Sequence, residues 1–273
     1  MAIWDQKSKT ETEINAGRRR RRYPLWTVPL SILIAYLLWK AASRWSGLPV
    51  FILPEPEAVA RRLLVAVRDG TLLRHTTTTL TEVLGGLLLG FVVATALGYL
   101  LAKSKTVERI LSPYIVASQS IPVVAIAPLL VIWFGPGRIS KVMISALIVF
   151  FPILINTIVG VRSVPHDLYD LMRSLRATRW QIFTKLEIPA ALPVLLGGLK
   201  IGATLSVIGA VVGELVGADQ GLGFLINIGR GVYDTTLVYV AVITLVFLAL
   251  ALFTFVAALE WWFLRWREPS ANN

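Results

Sequence analysis

Long apolar runs constrain the fold of this chain more than any other feature of its sequence. A helix that crosses the hydrocarbon core of a bilayer needs about 20 mostly apolar residues, because the core is roughly 30 Å thick and each residue rises about 1.5 Å. Segments that meet this requirement cover residues 25–42, 80–102, 110–134, 139–161, 193–216 and 236–263. The sequence therefore predicts an all-α polytopic membrane protein with about six transmembrane helices.

The composition supports a membrane protein and excludes other classes. Hydrophobic residues make up 56% of the 273 residues, above the roughly 45–50% of soluble proteins. The net charge is +11, but only 16% of residues are charged and most lie between apolar runs, so no nucleic acid is expected as a partner. Cysteine is absent and the only histidines are His75 and His166, which we expect at the surface on either side of the membrane. No metal site and no cofactor are expected.

The charge distribution predicts the orientation of the chain. The polar residues 1–24 end in an arginine run directly before the first apolar segment, and basic residues collect on the cytoplasmic side of membranes. We therefore expect a basic cytoplasmic tail at 1–24, a transmembrane domain at 25–267 and a C-terminal tail at 268–273. Both termini would be cytoplasmic in a multi-pass plasma-membrane protein. A cleaved secretory signal is the alternative for the first segment, which is long for one. Residues 56–73 predict an amphipathic helix on the outer surface.

The longest polar segment after the N-terminal tail lies between the fourth and fifth predicted spans, at about 162–188. Residues 167–186 within it place apolar side chains at helical spacing, which predicts one or two short amphipathic helices. Such a helix has an apolar face to dock against a partner. A helix lying on the membrane surface is the alternative interpretation.

This segment resembles the EAA loop of permease subunits of binding-protein-dependent ABC importers. The family pattern is EAA, three residues, Gly, nine residues and then I-x-L-P, and Leu186-Glu187-Ile188-Pro189 fits its closing element. The opening differs, because Asp170 replaces Glu, Leu171 and Met172 replace the two alanines, and Arg176 stands in place of Gly. Glycine permits a left-handed backbone that arginine resists. The turn at this position is therefore the part of the loop that the resemblance does not predict.

Further stretches extend the resemblance over residues from about 50 to 265. Residues 119–135 are similar to the third-span signature of the nitrate, sulfonate, taurine and vitamin-precursor branch, and 213–217 and 221–226 to its fifth-span ending and outer loop. The resemblance implies the type I ABC importer permease fold, with a cytoplasmic EAA-type coupling loop. It also implies four partners: two ATP-binding cassette ATPase subunits, an extracytoplasmic solute-binding protein, a second permease chain in a homodimer, and the lipid bilayer.

The resemblance implies a transporter and not an enzyme. In agreement, the sequence contains no GxxxxGK[ST] phosphate-binding loop, so a separate subunit is expected to hydrolyse ATP. Residues 119–135 look slightly closer to the vitamin-precursor members, which favours riboflavin or a thiamine pyrimidine precursor as the solute. An aliphatic sulfonate, taurine or nitrate is the alternative. A stand-alone channel or secondary transporter is the alternative of another class, but the sequence shows no mid-membrane acid pair and no convincing inverted repeat.

Two sets of residues are candidates for function. The resemblance assigns ATPase coupling to Asp170, Leu171, Met172, Leu175, Arg176, Ala177, Arg179, Trp180, Phe183, Ile188 and Pro189. Polar residues inside the spans predict a translocation path, since a kinked, polar helix is tolerated only where it faces protein or water. This second set comprises Ser118, Gln119, Ser120, Asn156, Thr204 and Glu214. Interhelical hydrogen bonding is the alternative for each. Lys200 is expected to snorkel, and the small residues of 193–216 predict close packing within the chain or between two chains.

Overall fold

The computed structural model describes residues 27–49 and 51–265, and this part of the chain is helical without any strand. The helices are α1 (Thr27–Trp45), α2 (Pro56–Arg68), α3 (Thr71–Lys103), α4 (Lys105–Gln119), α5 (Val123–Phe134), α6 (Arg138–Arg162), α7 (His166–Ser174), α8 (Arg179–Ile182), α9 (Ile188–Gly217), α10 (Leu222–Gly231) and α11 (Thr235–Phe263). A π-helical turn, Phe183–Glu187, joins α8 to α9. The all-α polytopic prediction is confirmed. The predicted tails, 1–24 and 268–273, lie outside the described residues.

The chain divides into two compact units, 1–56 and 57–273. In the first unit, the indole of Trp39 on α1 donates a hydrogen bond to the Pro54 carbonyl, at 3.1 Å. Helix α1 covers most of the first predicted span, but it carries Lys40 and Arg44 and is not among the described helices that are apolar enough to cross a membrane.

The second unit contains the apolar helices. Four of its helical segments are long and apolar enough to cross a membrane: α3, α6, the continuous run Arg179–Gly217, and α11. The predicted span 110–134 is not one helix, because α4 and α5 meet at 95°. Ile121 precedes Pro122, and a residue before proline disfavours the α conformation, which breaks the helix there. Residues 27–49 and 51–265 thus contain four such spans, or five if the bent pair crosses the membrane as one.

Helix α6 packs between α3 and α9, and small residues allow the close approach. A Cβ on Gly86 of α3 would lie 2.3 Å from the Ser145 side chain of α6, and one on Gly209 of α9 would lie 2.5 Å from the Ser145 Cα. The Ser145 hydroxyl also donates to the Ser206 carbonyl of α9, at 2.9 Å. The small-residue face of the fifth predicted span therefore packs within the chain.

The predicted amphipathic helix at 56–73 is present as α2, but it ends at Arg68. The chain turns at Gly70, which has a left-handed backbone (φ 76°), and α3 begins at Thr71. Arg62 of α2 pairs with Asp234 at the start of α11, at 3.1 Å. This pair lies at the end of the helical bundle away from residues 162–188. We call these two ends the far end and the loop end.

Candidate functional site

Helix α7 of the coupling loop (162–188) ends in a turn built on a left-handed residue. The Arg176 N–H donates to the Arg173 carbonyl and the Ala177 N–H donates to the Met172 carbonyl, both at 2.9 Å. Arg176 has φ 54°. These two bonds around a left-handed residue form the Schellman motif, in which that residue is usually glycine. Arg176 therefore keeps the backbone that glycine would adopt, at a cost of about 1 kcal/mol.

We expect Arg176→Gly to preserve the coupling loop and to relieve this strain. The gain should stay at or below about 1 kcal/mol, because glycine also loses more conformational entropy on folding. The measurement is thermal unfolding of the purified protein together with solute uptake. Arg173→Gly, at a residue of α7 with helical backbone, serves as the comparison and should destabilise by about 1 kcal/mol, because it places glycine in a helix and also removes the exposed pair with Asp170. Severe loss of uptake in Arg176→Gly would show that the arginine side chain itself is needed.

The second half of the coupling loop continues directly into the membrane. Helix α8 begins with a capping box, in which Thr178 accepts from the Gln181 N–H at 3.2 Å and Gln181 accepts from the Thr178 N–H at 2.8 Å. The π-helical turn then leads without interruption into α9, whose first turn contains Pro189. Residues Arg179–Gly217 therefore form one continuous helical segment.

Apolar side chains of the coupling loop point to solvent. Leu171, Leu175 and Trp180 are 54%, 69% and 70% exposed. Exposed apolar clusters rimmed by charge are typical of protein or membrane contacts. Phe183 instead points inward and packs edge-to-face on Tyr99 of α3, with ring centroids 5.2 Å apart. Of the other candidate coupling residues, Asp170, Arg176, Arg179 and Ile188 are exposed and Met172, Ala177 and Pro189 are partly buried.

An ion pair between a buried carboxylate and a partly exposed lysine joins the coupling loop to α3. We call Tyr99, Lys103, Tyr169 and Glu187 the latch. Glu187 is 2% exposed, accepts a hydrogen bond from the Tyr99 hydroxyl at 2.8 Å and forms an ion pair with Lys103. The Lys103 ammonium lies 5.1 Å from the centre of the Tyr169 ring of α7. Burial, and then the Glu187 carboxylate, raise the pKa of Tyr169, so its hydroxyl stays protonated.

The candidate path residues are distributed over four places. Ser118, Gln119 and Ser120 lie together and exposed at the break between α4 and α5, where Ser118 donates to the Tyr114 carbonyl at 2.7 Å. Asn156 of α6 donates to the carbonyl of Pro152 at 2.8 Å. Thr204 of α9 likewise donates to its own helix, at the Ile201 carbonyl.

Glu214, the sixth candidate, lies apart in a network at the far end. We call His75, Thr79, Glu82, Lys141 and Glu214 the polar junction. Glu214 is fully buried and accepts from the Thr79 hydroxyl at 2.6 Å and from the Gly223 N–H. Lys141, 1% exposed, donates to the carbonyls of Pro136 and Gly217. The polar junction therefore ties α3, α6 and α9 to the start of α10.

One sequence-based expectation about an ionisable residue is wrong. His75 is buried, not at the surface, because its Nδ1 accepts from the Gly221 N–H at 3.0 Å and its ring stacks on Phe224. Lys200, for which snorkelling was expected, forms an ion pair with Glu260 in the last turn of α11.

Sequence reasoning also missed several members of the latch and the polar junction. Glu82 and Lys141 fall inside the apolar runs 80–102 and 139–161, and a charge within such a run was the available signal. The carboxyl groups of Glu82 and Glu214 lie side by side although their helices are distant in sequence. Glu187 occupies the variable position of the closing motif, and nothing in the sequence identified its partners.

Comparison with known proteins identifies the family. Residues 72–265 match the model of the binding-protein-dependent transport system inner membrane component. The chain is 46% identical over 248 residues to the riboflavin transport system permease protein RibX of Chloroflexus aurantiacus, covering 91% of this chain and 92% of RibX. It is 35% identical to the formylaminopyrimidine transport permease protein ThiX of Halalkalibacterium halodurans (91% and 99% covered) and 34% identical to the taurine transport system permease protein TauC of Escherichia coli (86% and 89%).

A solved structure shows the same fold. The chain superposes on the inward-facing MetNI methionine ABC transporter with a TM-score of 0.62 at 23% identity, covering 70% of this chain and 95% of that one. The predicted type I permease fold is therefore confirmed. Proteins of this family are transport permeases that work with ATPase and binding-protein partners. The chain belongs to the inner membrane components of binding-protein-dependent transport systems and is a permease subunit of an ABC importer.

Proposed function

We propose that ATP-driven movement reaches this permease through the coupling loop. The observation that carries the proposal is the exposed apolar surface of Leu171, Leu175 and Trp180, on a loop whose second half, from Arg179, runs as continuous helix into α9. A partner that covers this surface can displace α9 without breaking a helix. The partner we infer is the ATPase subunit, so that its closure switches the spans between inward-open and outward-open arrangements.

The assembly that we infer from this proposal contains two copies of this chain and an extracytoplasmic solute-binding protein. The coupling loop of each copy lies on one of two ATPase subunits. The coupling loop and both termini are then cytoplasmic, and the far end faces the binding protein. The excess of basic residues in the predicted cytoplasmic segments supports this orientation.

Within each chain we place the path beside the break between α4 and α5. Ser118, Gln119 and Ser120 offer exposed polar side chains there, and Asn156 and Thr204 lie on the neighbouring helices α6 and α9. Glu214 is better explained as a structural residue of the polar junction. Its carboxylate is buried and accepts hydrogen bonds from Thr79 of α3 and Gly223 of α10.

We infer riboflavin or a thiamine pyrimidine precursor as the solute. The support is the 46% identity to a riboflavin permease and the 35% identity to a formylaminopyrimidine permease. The identity to a taurine permease is 34%. The second candidate is an aliphatic sulfonate, taurine or nitrate, and the 34% identity to a taurine permease supports it.

The solute is tested with the binding protein that co-purifies with this permease. We expect that protein to bind riboflavin or a formylaminopyrimidine with micromolar or tighter affinity, about −8 kcal/mol or better, by titration calorimetry. Taurine and nitrate, titrated under the same conditions, should give no heat of binding. Tight binding of a sulfonate without binding of a flavin or pyrimidine would contradict the proposal for the solute and leave the coupling proposal standing.

A further inference from the structure

A basic pocket opens at the loop end, outside the surface already assigned to ATPase coupling. Its volume is about 700 Å³, and it lies between the ends of α3 and α6 and the starts of α4 and α7. Its charged lining consists of Lys103, Lys105, Glu108, Arg109, Arg162 and Arg173. Three of these five cations pair with a carboxylate, and the other two are left to attract an anion.

The charges of the pocket are unevenly paired. Arg162 binds Glu108 through its two terminal nitrogens, Nη1 and Nη2, Lys103 pairs with Glu187, and Arg173 pairs with Asp170. Lys105 and Arg109 are exposed at the start of α4, where they flank Glu108. These two side chains are therefore available to bind an anion from outside the chain.

An apolar cavity lies next to the basic pocket, one to two helical turns further into the bundle. Its volume is about 350 Å³, and Ala96, Val161, Ala191 and Leu195 contribute to its almost entirely apolar wall. Val161 borders both the pocket and the cavity. The buried hydroxyl of Thr95 also lines the cavity and has no hydrogen-bond partner among the described residues. An apolar occupant would suit this wall.

We propose that the basic pocket and the apolar cavity together bind an acidic phospholipid. The phosphate headgroup lies among Lys105, Arg109 and Arg162, and an acyl chain enters the cavity beside Tyr99 and Phe183. The pocket lies where α3 and α6 reach the end of their apolar runs, which is the depth of lipid headgroups. Basic pockets between transmembrane helices bind such headgroups. The bound lipid contacts the latch and so stabilises the packing of the coupling loop on α3.

The lipid explains the combination of sites better than a soluble anion or an acidic protein segment. A soluble phosphate would use the basic pocket but not the apolar cavity. An acidic segment of a partner would leave the same cavity unfilled, and burial of apolar surface supplies about 25 cal/mol per Å² only to a ligand that enters it. This inference does not rest on the identity of the transported solute or on ATPase docking.

The experiment measures lipid binding to the full-length protein in detergent by native mass spectrometry. Phosphatidylglycerol and phosphatidylcholine with the same acyl chains are compared, and glycerophosphoglycerol and inorganic pyrophosphate serve as anions without acyl chains. We expect phosphatidylglycerol to bind at least tenfold more tightly than each of the other three. In the double variant Lys105→Gln/Arg109→Gln its affinity should fall roughly 30-fold, while that of phosphatidylcholine stays unchanged.

Two further variants make the result interpretable. Lys185→Gln/Arg265→Gln removes two cations at the loop end outside the pocket and should leave phosphatidylglycerol affinity within about threefold. Lys105→Arg/Arg109→Lys keeps the charges and should retain the affinity, which separates loss of charge from misfolding. Equal affinity for the two lipids, equal loss in both charge-removing variants, or pyrophosphate binding as tight as lipid binding would overturn the proposal. Addition of the ATPase subunit gives a further test. If the ATPase removes lipid from the pocket and leaves lipid at all other sites, the ATPase and not the lipid occupies the pocket, and the proposal is overturned.

Discussion

Replacing Glu187 by alanine is expected to uncouple ATP hydrolysis from uptake and to loosen the coupling loop. The carboxylate joins α3 to the start of α9 through Lys103 and Tyr99, and no other side chain in the latch can accept both donors. Hydrogen bonds to charged groups contribute about 1.5–3 kcal/mol, and Lys103, 37% exposed, recovers part of this by hydration. We therefore expect a loss of about 2 kcal/mol in stability and about a tenfold fall in solute taken up per ATP hydrolysed.

Graded variants of the latch identify the cause. Tyr99→Phe removes one neutral donor, and its effect on stability should be about 1 kcal/mol. The reversed pair Glu187→Lys/Lys103→Glu restores opposite charges at the same two positions, and it should recover part of the coupling that Glu187→Ala loses. Uptake per ATP that is unchanged in Glu187→Ala would show that the latch does not transmit movement.

Replacing Gly221 by alanine is expected to destabilise the far end. This one added methyl group should cost more stability than any of the single substitutions described above. Gly221 has φ 113°, a conformation that L side chains rarely adopt, and its Cβ would lie 2.2 Å from the Glu214 carboxylate. Backbone strain of this kind costs about 1–3 kcal/mol, and displacement of a buried carboxylate adds to it. We expect a total of about 3–5 kcal/mol, seen as a large fall in the thermal unfolding midpoint.

Two other glycines separate strain from collision. Gly135 also has positive φ (80°), but no atom lies within 4 Å of its Cβ position, so Gly135→Ala should show the strain alone, at about 1 kcal/mol. Gly231 has ordinary φ and equally open surroundings, and Gly231→Ala should change stability by less than about 0.5 kcal/mol. Equal effects at Gly221 and Gly135 would contradict the close packing of Gly221 against Glu214.

The sequence predicted what depends on local pattern. Apolar runs located α3, α6, α9 and α11, and helical spacing with the motif Leu186-Glu187-Ile188-Pro189 located the coupling loop, because both signals lie within one segment. The proline-rich stretch at 119–135 predicted a kinked helix, yet the size of the 95° break depends on how α5 packs against α6 and α9.

Contacts between distant segments could not be predicted. Glu187 meets Tyr99 across 88 positions of the chain, and His75 meets Gly221 across 146. In a single sequence the same histidine and glutamate fit an exposed loop or a buried network equally well. Arg176 shows the opposite case. An arginine disfavours a left-handed backbone, yet the geometry of the turn after α7 places Arg176 in that conformation.

Labelling of one introduced cysteine tests the central claim that the coupling loop is the cytoplasmic docking surface for the ATPase. The sequence contains no cysteine, so Leu175→Cys, at a side chain that is 69% exposed, gives a unique target, and Arg68→Cys at the far end is its counterpart. A membrane-impermeant maleimide should label Leu175→Cys only in inverted vesicles stripped of the ATPase, and rebinding of the ATPase should protect it. Arg68→Cys should be labelled only in intact cells. Labelling of Leu175→Cys from outside intact cells, or equal labelling with and without bound ATPase, would contradict the account.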